Sequence, residues 1–571
     1  MLTSLNNSAY SESLIVHIRR ADNLRKESID FPSLKLNLRQ LCDLELLLNR
    51  ACYPLAGYLC RKEYESVLDT MRLCDSTLWP MPICLDVSEK VAEGIEPGMP
   101  VAIRDPEGFM LAVLHVEECF RPDKRREAQA LFGTDNPDLH PGVQHLFEQT
   151  GPVLIGGRLE GLHLPQHYDF TDLRLAPWEA HRIFNKKGWR NIIAFQSENV
   201  LHRAEREMLF AAAREAGASL FLQLIIEQPK LGDVDHFVLV RCFQEFVKTF
   251  PKNMVELGIL PMATLKAGPR EALWRAILQK NYGVSHICIA EDQCDPYSGM
   301  DTNDRFYPKG EALRLVEEYE EEIDISTIPL RPMGYIEEKA QYVVLDDIAD
   351  PTTVKSLSPA EFKRRLDTDL EIPEWYSYPE IINELRLNFP PRSRQGFTLF
   401  ITGLSGAGKS TLAKVLFIKL SEMRGRPVTL LDGDIVRENL SSELSFSKEH
   451  RNLNVKRIGF VASEITKNRG IAICAPIAPY EESRRAARDR VEKYGGFIEI
   501  FLSTPLEICE RRDRKGIYAK ARAGIMKGVT GIDDPYEKPT SADLNIDTSN
   551  ISPAEAAHDA LLFLREQGYI F

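Results

Sequence analysis

The stretch FTLFITGLSGAGKSTLAKVLFIKLSEM, residues 397–423, decides the fold of the carboxy-terminal part of this chain. It opens as a short apolar run and closes with apolar residues at helical spacing. Between the two, GLSGAGKST fits the pattern GxxxxGK[ST] in the context that pattern needs, a strand before it and a helix after it. Glycines let backbone N–H groups wrap phosphate oxygens, and a helix N-terminus adds positive potential. The spacing predicts a nucleotide cradle made of Gly403, Leu404, Ser405, Gly406, Ala407, Gly408, Lys409, Ser410 and Thr411. Lys409 is expected to reach the β- and γ-phosphates of ATP, and the Ser410 hydroxyl to hold Mg²⁺.

Working outward, PVTLLDGD, IAICAPI and FIEIFLS repeat the apolar strand signal with helical patterns between them, which predicts a doubly wound α/β unit. The segment LLDGDIVRENL then sets Asp432 and Asp434 at the carboxyl edge of the sheet, where such folds bind ligands. One carboxylate can accept the proton of an attacking hydroxyl and the other can order Mg²⁺ or its waters. Upstream, NFPPRSRQG at 388–396 reads as an exposed boundary. Before it, PICLDV, PVAIRD and FMLAVLHV read as short strands at 82–120, and NIIAFQ, LFLQLII and SHICIA alternate with helical patterns over 171–345. That alternation predicts a second α/β domain with a parallel sheet, and 352–386 reads as mostly helical.

A chain of 571 residues exceeds one core, so two to four domains are expected. Its formal charge of −13 argues against a nucleic-acid partner, and no apolar run is long enough to span a bilayer. Eleven cysteines without a CxxC pair argue for thiols in a reducing compartment, and the cytoplasm is the expected location.

Over nearly all of 396–571 the chain resembles adenylyl-sulfate kinases, on DGDIVR, FSKEHRNLNVKRIG, PIAPYEESR, RKGIYAKARAG and TGIDDPYEKP. The resemblance implies transfer of the ATP γ-phosphate to the ribose 3′-hydroxyl of adenylyl sulfate, with Lys409, Asp432 and Asp434 as the catalytic group. It also implies that Arg437, Arg451 and Asn454 hold the phosphosulfate and ribose, that Phe446 packs on adenine, and that Lys515 and Lys520 add cations from a lid-like segment. Two positions depart from the family pattern. Ala478 stands where many members carry Ser, which excludes a phosphoserine there, and Val529 stands where Phe is frequent.

Residues 1–390 are similar to ATP sulfurylases, on LRQLCDLELLLNRACYPLAGYL, HPGVQHLFEQTGPVLIGGRLEGLHLP, LGDVDHFVLVRCF and AGPREALWRAILQKNYG. The implied architecture is α/β multidomain. It comprises a β-rich PUA-like domain at 1–170, a Rossmann-like nucleotidyltransferase domain at 171–345, a helical segment at 346–390, and a P-loop kinase domain with a parallel sheet at 391–571. A homodimer or larger homo-oligomer is implied as well.

The sulfurylase motif QTRNPxHRAH appears here within FQSENVLHRAEREM, residues 195–208. Gln196, Asn199 and His202 match it, whereas Glu198 replaces the sulfate-binding Arg and Glu205 the second His. GRDHAGP appears as AEDQCDP, so Glu291 replaces Arg, Asp292 is kept and Gln293 replaces His, while Leu265 stands for the Arg before AGPRE. Unit charges about 4 Å apart interact by roughly 1–4 kcal/mol, so acid in place of these cations opposes capture of a sulfate dianion. The expectation is a kinase carrying a sulfurylase-like domain inactive toward sulfate. The alternatives are a complete bifunctional enzyme and a transferase domain repurposed for another acceptor.

Overall fold

The computed structural model describes residues 14–226, 236–290, 293–297, 305–348, 353–423, 425–513 and 516–571, with Asp434 described by its backbone alone. These residues fall into two compact units, one within Met1–Phe362 and Ile372–Glu384, the other within Lys363–Glu371 and Leu385–Phe571.

In the first unit, the strands expected at 82–120 become Leu85–Val87, Pro100–Arg104 and Met110–Phe120 of a largely antiparallel six-stranded sheet. The following sheet has five strands in the order Ser326–Pro329, His286–Ile289, Ile192–Ser197, Ser219–Ile226, Val255–Pro261, and every pairing is parallel. Parallel strands need helical crossovers, which Arg203–Glu215, His236–Val247 and Gly268–Asn281 supply. A small antiparallel sheet, Gln341–Val344, Met333–Ile336 and Val354–Lys355, follows.

The second unit is built on five parallel strands in the order Val428–Asp432, Ile471–Ala475, Phe397–Gly403, Gly496–Leu502, Leu544–Ile546. The period of two in Phe397–Gly403 sends alternate side chains to opposite layers. Leu399 and Ile401 pack with Leu412, Leu416, Ala560 and Leu564 of the helices Lys409–Glu422 and Pro553–Glu566. Phe400 packs on the other face with Val455, Ile458 and Ala462 of the helix Lys448–Lys467. Each such Leu, Ile, Val or Phe side chain, removed from water, contributes about 1.5–3 kcal/mol. The sheet is therefore rigid where its carboxyl edge carries the loops.

All eleven cysteines are free thiols. Among the described residues, no helix is long and apolar enough to cross a membrane.

Candidate active sites

In the second unit, Gly403 ends its strand and Gly408 caps the helix Lys409–Glu422, so the expected cradle lies at the sheet edge. Gly406 has φ 79°, and a Cβ there would come within 2.6 Å of the Cys509 carbonyl oxygen. Only glycine fits both the left-handed backbone and that approach. Lys409 is buried inside the loop, its Nζ donating to the carbonyl oxygens of Gly403 at 3.0 Å and Leu404 at 2.8 Å. Ser410 and Thr411 are exposed in the first helical turn.

Two braces fix the loop from outside. Thr548 Oγ1 donates to the Ala407 carbonyl at 3.0 Å and is itself bonded by Arg512 Nη1 at 2.8 Å. The Tyr518 hydroxyl donates to the Ser405 carbonyl at 2.9 Å, joining the helix Ile517–Arg522 to the loop. Neither Arg512 nor Tyr518 stands out in the sequence, because their partners lie 36 and 113 residues away in the chain.

Asp432 is the last residue of its strand, 8% exposed, in register with Ala475, and Asp434 follows in the first turn of the helix Gly433–Leu440. The strand bearing Ala475 separates Asp432 from the cradle, so both lie on one sheet edge. The residues expected to hold an acceptor differ in their surroundings. Arg437 donates to the carbonyls of Leu444 at 3.0 Å and Ser445 at 3.2 Å, and its guanidinium lies 4.3 Å from the ring centre of exposed Phe446. Arg451 is committed within the protein, donating to Thr530 Oγ1 at 2.6 Å, to the Gly528 carbonyl and to the Asp534 carboxylate. It acts as a clasp on the 528–534 segment. Asn454 is buried, and its Oδ1 has no partner among the described residues. Lys520 is exposed, and Lys515 lies outside the described residues.

Val529 is buried in the core, so it presents no open stacking face. Ala478 is buried at φ 45°. A non-glycine residue in that conformation costs about 1–3 kcal/mol and is held by its surroundings. Here Arg484 Nη1 donates to the Ala478 carbonyl at 2.8 Å.

In the first unit, Gln196 closes the strand Ile192–Ser197, and its Nε2 donates to Gln223 Oε1 at 3.1 Å. Glu198 is not the solitary repulsive carboxylate that the sequence suggests. It accepts from Arg275 Nη2 at 2.8 Å and pairs with Lys266, while Arg275 also bonds Glu271 at 2.6 Å. Burial works against ionisation of Glu198, but Arg275 and Lys266 outweigh it and hold the carboxyl down at about 2. Glu271 in turn accepts the backbone N–H of Leu265 at 3.1 Å and of Ala267 at 3.0 Å, fixing the loop that carries Lys266. Two carboxylates and two cations therefore cancel within this cluster.

Lys266 and Arg275 are the residues that sequence reasoning missed. The spacing of Glu271 and Arg275 at i and i+4 is the one local signal that could have found them. Glu205 also departs from expectation. It accepts the backbone N–H of His202 at 2.9 Å, capping the helix Arg203–Glu215, and burial raises its pKa. The His202 ring lies among Phe362 and Tyr376 with Nδ1 2.8 Å from Ser377 Oγ. Burial lowers its pKa to about 4, so the ring is neutral at pH 7. Asn199 is exposed, and Gln293 Oε1 accepts from the Ala290 N–H at 3.1 Å. Glu291 and Asp292 lie outside the described residues.

Residues 9–164 match the family model described as PUA-like domain, 171–388 that for ATP-sulfurylase and 395–547 that for Adenylylsulphate kinase. Proteins named sulfate adenylyltransferase from Phaeosphaeria nodorum and Mycosarcoma maydis are 42% and 44% identical, with 96% of each chain covered. A solved structure titled "Hexameric APS kinase from Thiobacillus denitrificans" is 37% identical, covers 98% of both chains and superposes with a TM-score of 0.80. The chain belongs to the sulfate adenylyltransferase family, and joins PUA-like, ATP-sulfurylase and adenylylsulphate kinase domains in one polypeptide.

Proposed function

We propose that the carboxy-terminal module, 391–571, phosphorylates adenylyl sulfate at its ribose 3′-hydroxyl with ATP, and that the amino-terminal modules, 1–170 and 171–390, do not adenylylate sulfate. The observation that carries this reading is the contrast in charge placement. Lys409 sits in a glycine cradle, its Nζ on the carbonyl oxygens of Gly403 and Leu404, whereas Lys266 and Arg275 are paired with Glu198 and Glu271.

In the reaction, cradle N–H groups and Lys409 hold the β- and γ-phosphates, and Arg437 and Phe446 orient the acceptor. Asp432 takes the proton of the 3′-hydroxyl as its oxygen bonds the γ-phosphorus and the bond to the β-phosphate oxygen breaks, releasing ADP. Ala478 has no hydroxyl, so transfer is direct. The Ser410 hydroxyl is a hard oxygen donor of the kind that suits Mg²⁺, and the second carboxylate of the DGD segment would order that ion or its waters. That ion, when bound, neutralises charge on the phosphates. Formation of ADP that depends on adenylyl sulfate and disappears in Asp432→Ala tests this activity. Turnover that persists in that variant contradicts the assignment of Asp432.

The name shared by the curated relatives favours a second reading, a complete bifunctional enzyme that also makes adenylyl sulfate from ATP and sulfate. The full-length neighbour titled an APS kinase supports the first reading, and its title also supports a homo-oligomer. Free thiols throughout the chain are in keeping with a reducing cytoplasm.

A further inference from the structure

Beside the first site, the first unit contains a cleft of about 60 Å³. A single water needs about 10–15 Å³ of such space, so the cleft has room for a molecule of a few heavy atoms. It is bounded by the helices Leu38–Leu48, Lys124–Phe132 and Pro141–Glu148, with apolar walls from Phe132, Leu146, Leu154 and Leu265. Arg39, Asp43, Asp86, Lys124 and Glu127 also line it.

Three of these charged groups have hydrogen-bond partners. Asp86 accepts from Gln40 Nε2 at 2.9 Å and from the Gly151 N–H at 2.6 Å. Lys124 Nζ donates to the carbonyls of Leu146 and Thr150 and to Thr150 Oγ1, each at 2.9 Å. Glu127 accepts from the Tyr64 hydroxyl at 2.7 Å. Arg39 and Asp43 stand apart. They lie one turn from each other on the same helix face and interact through space, yet neither side chain makes a hydrogen bond or ion pair with any described residue. Burial pushes the Asp43 carboxyl up to about 6, with Arg39 pulling the other way. Charges withdrawn from water are costly unless paired, and here one of each sign lacks a side-chain hydrogen bond, one helical turn apart.

We propose that this cleft binds a small zwitterion of α-amino-acid size, with its carboxylate or sulfonate on the Arg39 guanidinium and its ammonium on the Asp43 carboxylate. An inorganic anion would satisfy Arg39 but face Asp43, and a simple amine would do the reverse. Arginine also offers the planar fork that oxyanions fit. Leu265, on the cleft wall, precedes Lys266, which places the occupant one residue from the Glu198 cluster.

The test is calorimetric titration of the full chain with L-alanine, L-serine and taurine, and with propionate and propylamine as singly charged controls. At least one zwitterion is expected to bind at least about tenfold more tightly than either control, a difference of about 1.4 kcal/mol. Affinity should fall by a similar factor in Arg39→Met and in Asp43→Asn. The second variant nearly preserves shape and removes a buried charge, so it should melt no lower than the parent and carries the test if the first fails to fold. Absence of binding by all three zwitterions, equal binding by a control, or binding unchanged in Asp43→Asn overturns the proposal.

Discussion

Glu198 and Arg275, 77 residues apart in sequence, meet through Oε1 and Nη2 at 2.8 Å, and Arg275 is almost fully buried. This contact converts what would be an anion-binding guanidinium into half of an internal pair. Lys266, on the other carboxylate oxygen, is spent in the same way.

Removing the carboxylate should therefore release an anion site. In Glu198→Ala, sulfate is expected to raise the melting temperature of the full chain by more than it raises that of the parent protein. Arg275→Ala has the opposite character, because it leaves buried Glu271 with backbone N–H groups alone and Glu198 with Lys266 alone. Breaking a buried pair from one side costs about 3–5 kcal/mol, which should appear as a loss of that size in denaturant unfolding.

The pH dependence has a defined sign. The folded-state pKa of Glu198 is lowered from 4.5 to about 2, so its stabilisation is complete above about pH 4.5 and is lost as pH falls toward 2. The stability gap between the parent and Glu198→Gln should narrow across that window. His202, lowered from 6.5 to about 4, favours the folded state above pH 6.5, and that contribution is lost as pH falls toward 4. Its imidazole resonances should stay those of the neutral ring until pH approaches 4.

In the kinase module, Gly406→Ala forces a Cβ against the Cys509 carbonyl at a positive φ. Displacement of the loop by even about 1 Å is expected to lower turnover on the order of 10²-fold. The fold should survive, which circular dichroism checks.

Phe446→Ala removes the ring beside Arg437. A cation–π contact at an exposed site is worth about 0.5–1 kcal/mol, so KM for adenylyl sulfate should rise about two- to five-fold with kcat nearly unchanged. Tyr518→Phe, by contrast, removes a brace of the ATP loop. Its cost of about 0.5–1.5 kcal/mol should fall on ATP rather than on the acceptor.

The fold was legible wherever the pattern is local. The strand before GLSGAGKST, the helix after it and the alternation in 171–345 all rest on periodicity within a dozen residues. The strand Val255–Pro261 is harder to read, because VELGILP carries a glycine and ends on proline. Leu544–Ile546 is three residues long, too short for a period to show. The site was legible at the cradle, where one contiguous loop does the binding. It was not legible at Glu198, because the charge of that residue is set by Lys266 and Arg275, 68 and 77 residues away. Arg451 shows the same limit, since its commitment to Asp534 follows from the folded 528–534 segment and not from its own neighbours.

The central claim is that the carboxy-terminal module phosphorylates adenylyl sulfate, whereas Lys266 and Arg275 of the amino-terminal module are spent on Glu198 and Glu271. It is tested most directly by monitoring pyrophosphate release when the purified full chain is given ATP and sulfate, with adenylyl-sulfate-dependent ADP formation measured in the same preparation. The account predicts ADP formation without pyrophosphate release. Pyrophosphate released at a rate comparable to the kinase reaction, and retained in Asp432→Ala, would contradict it.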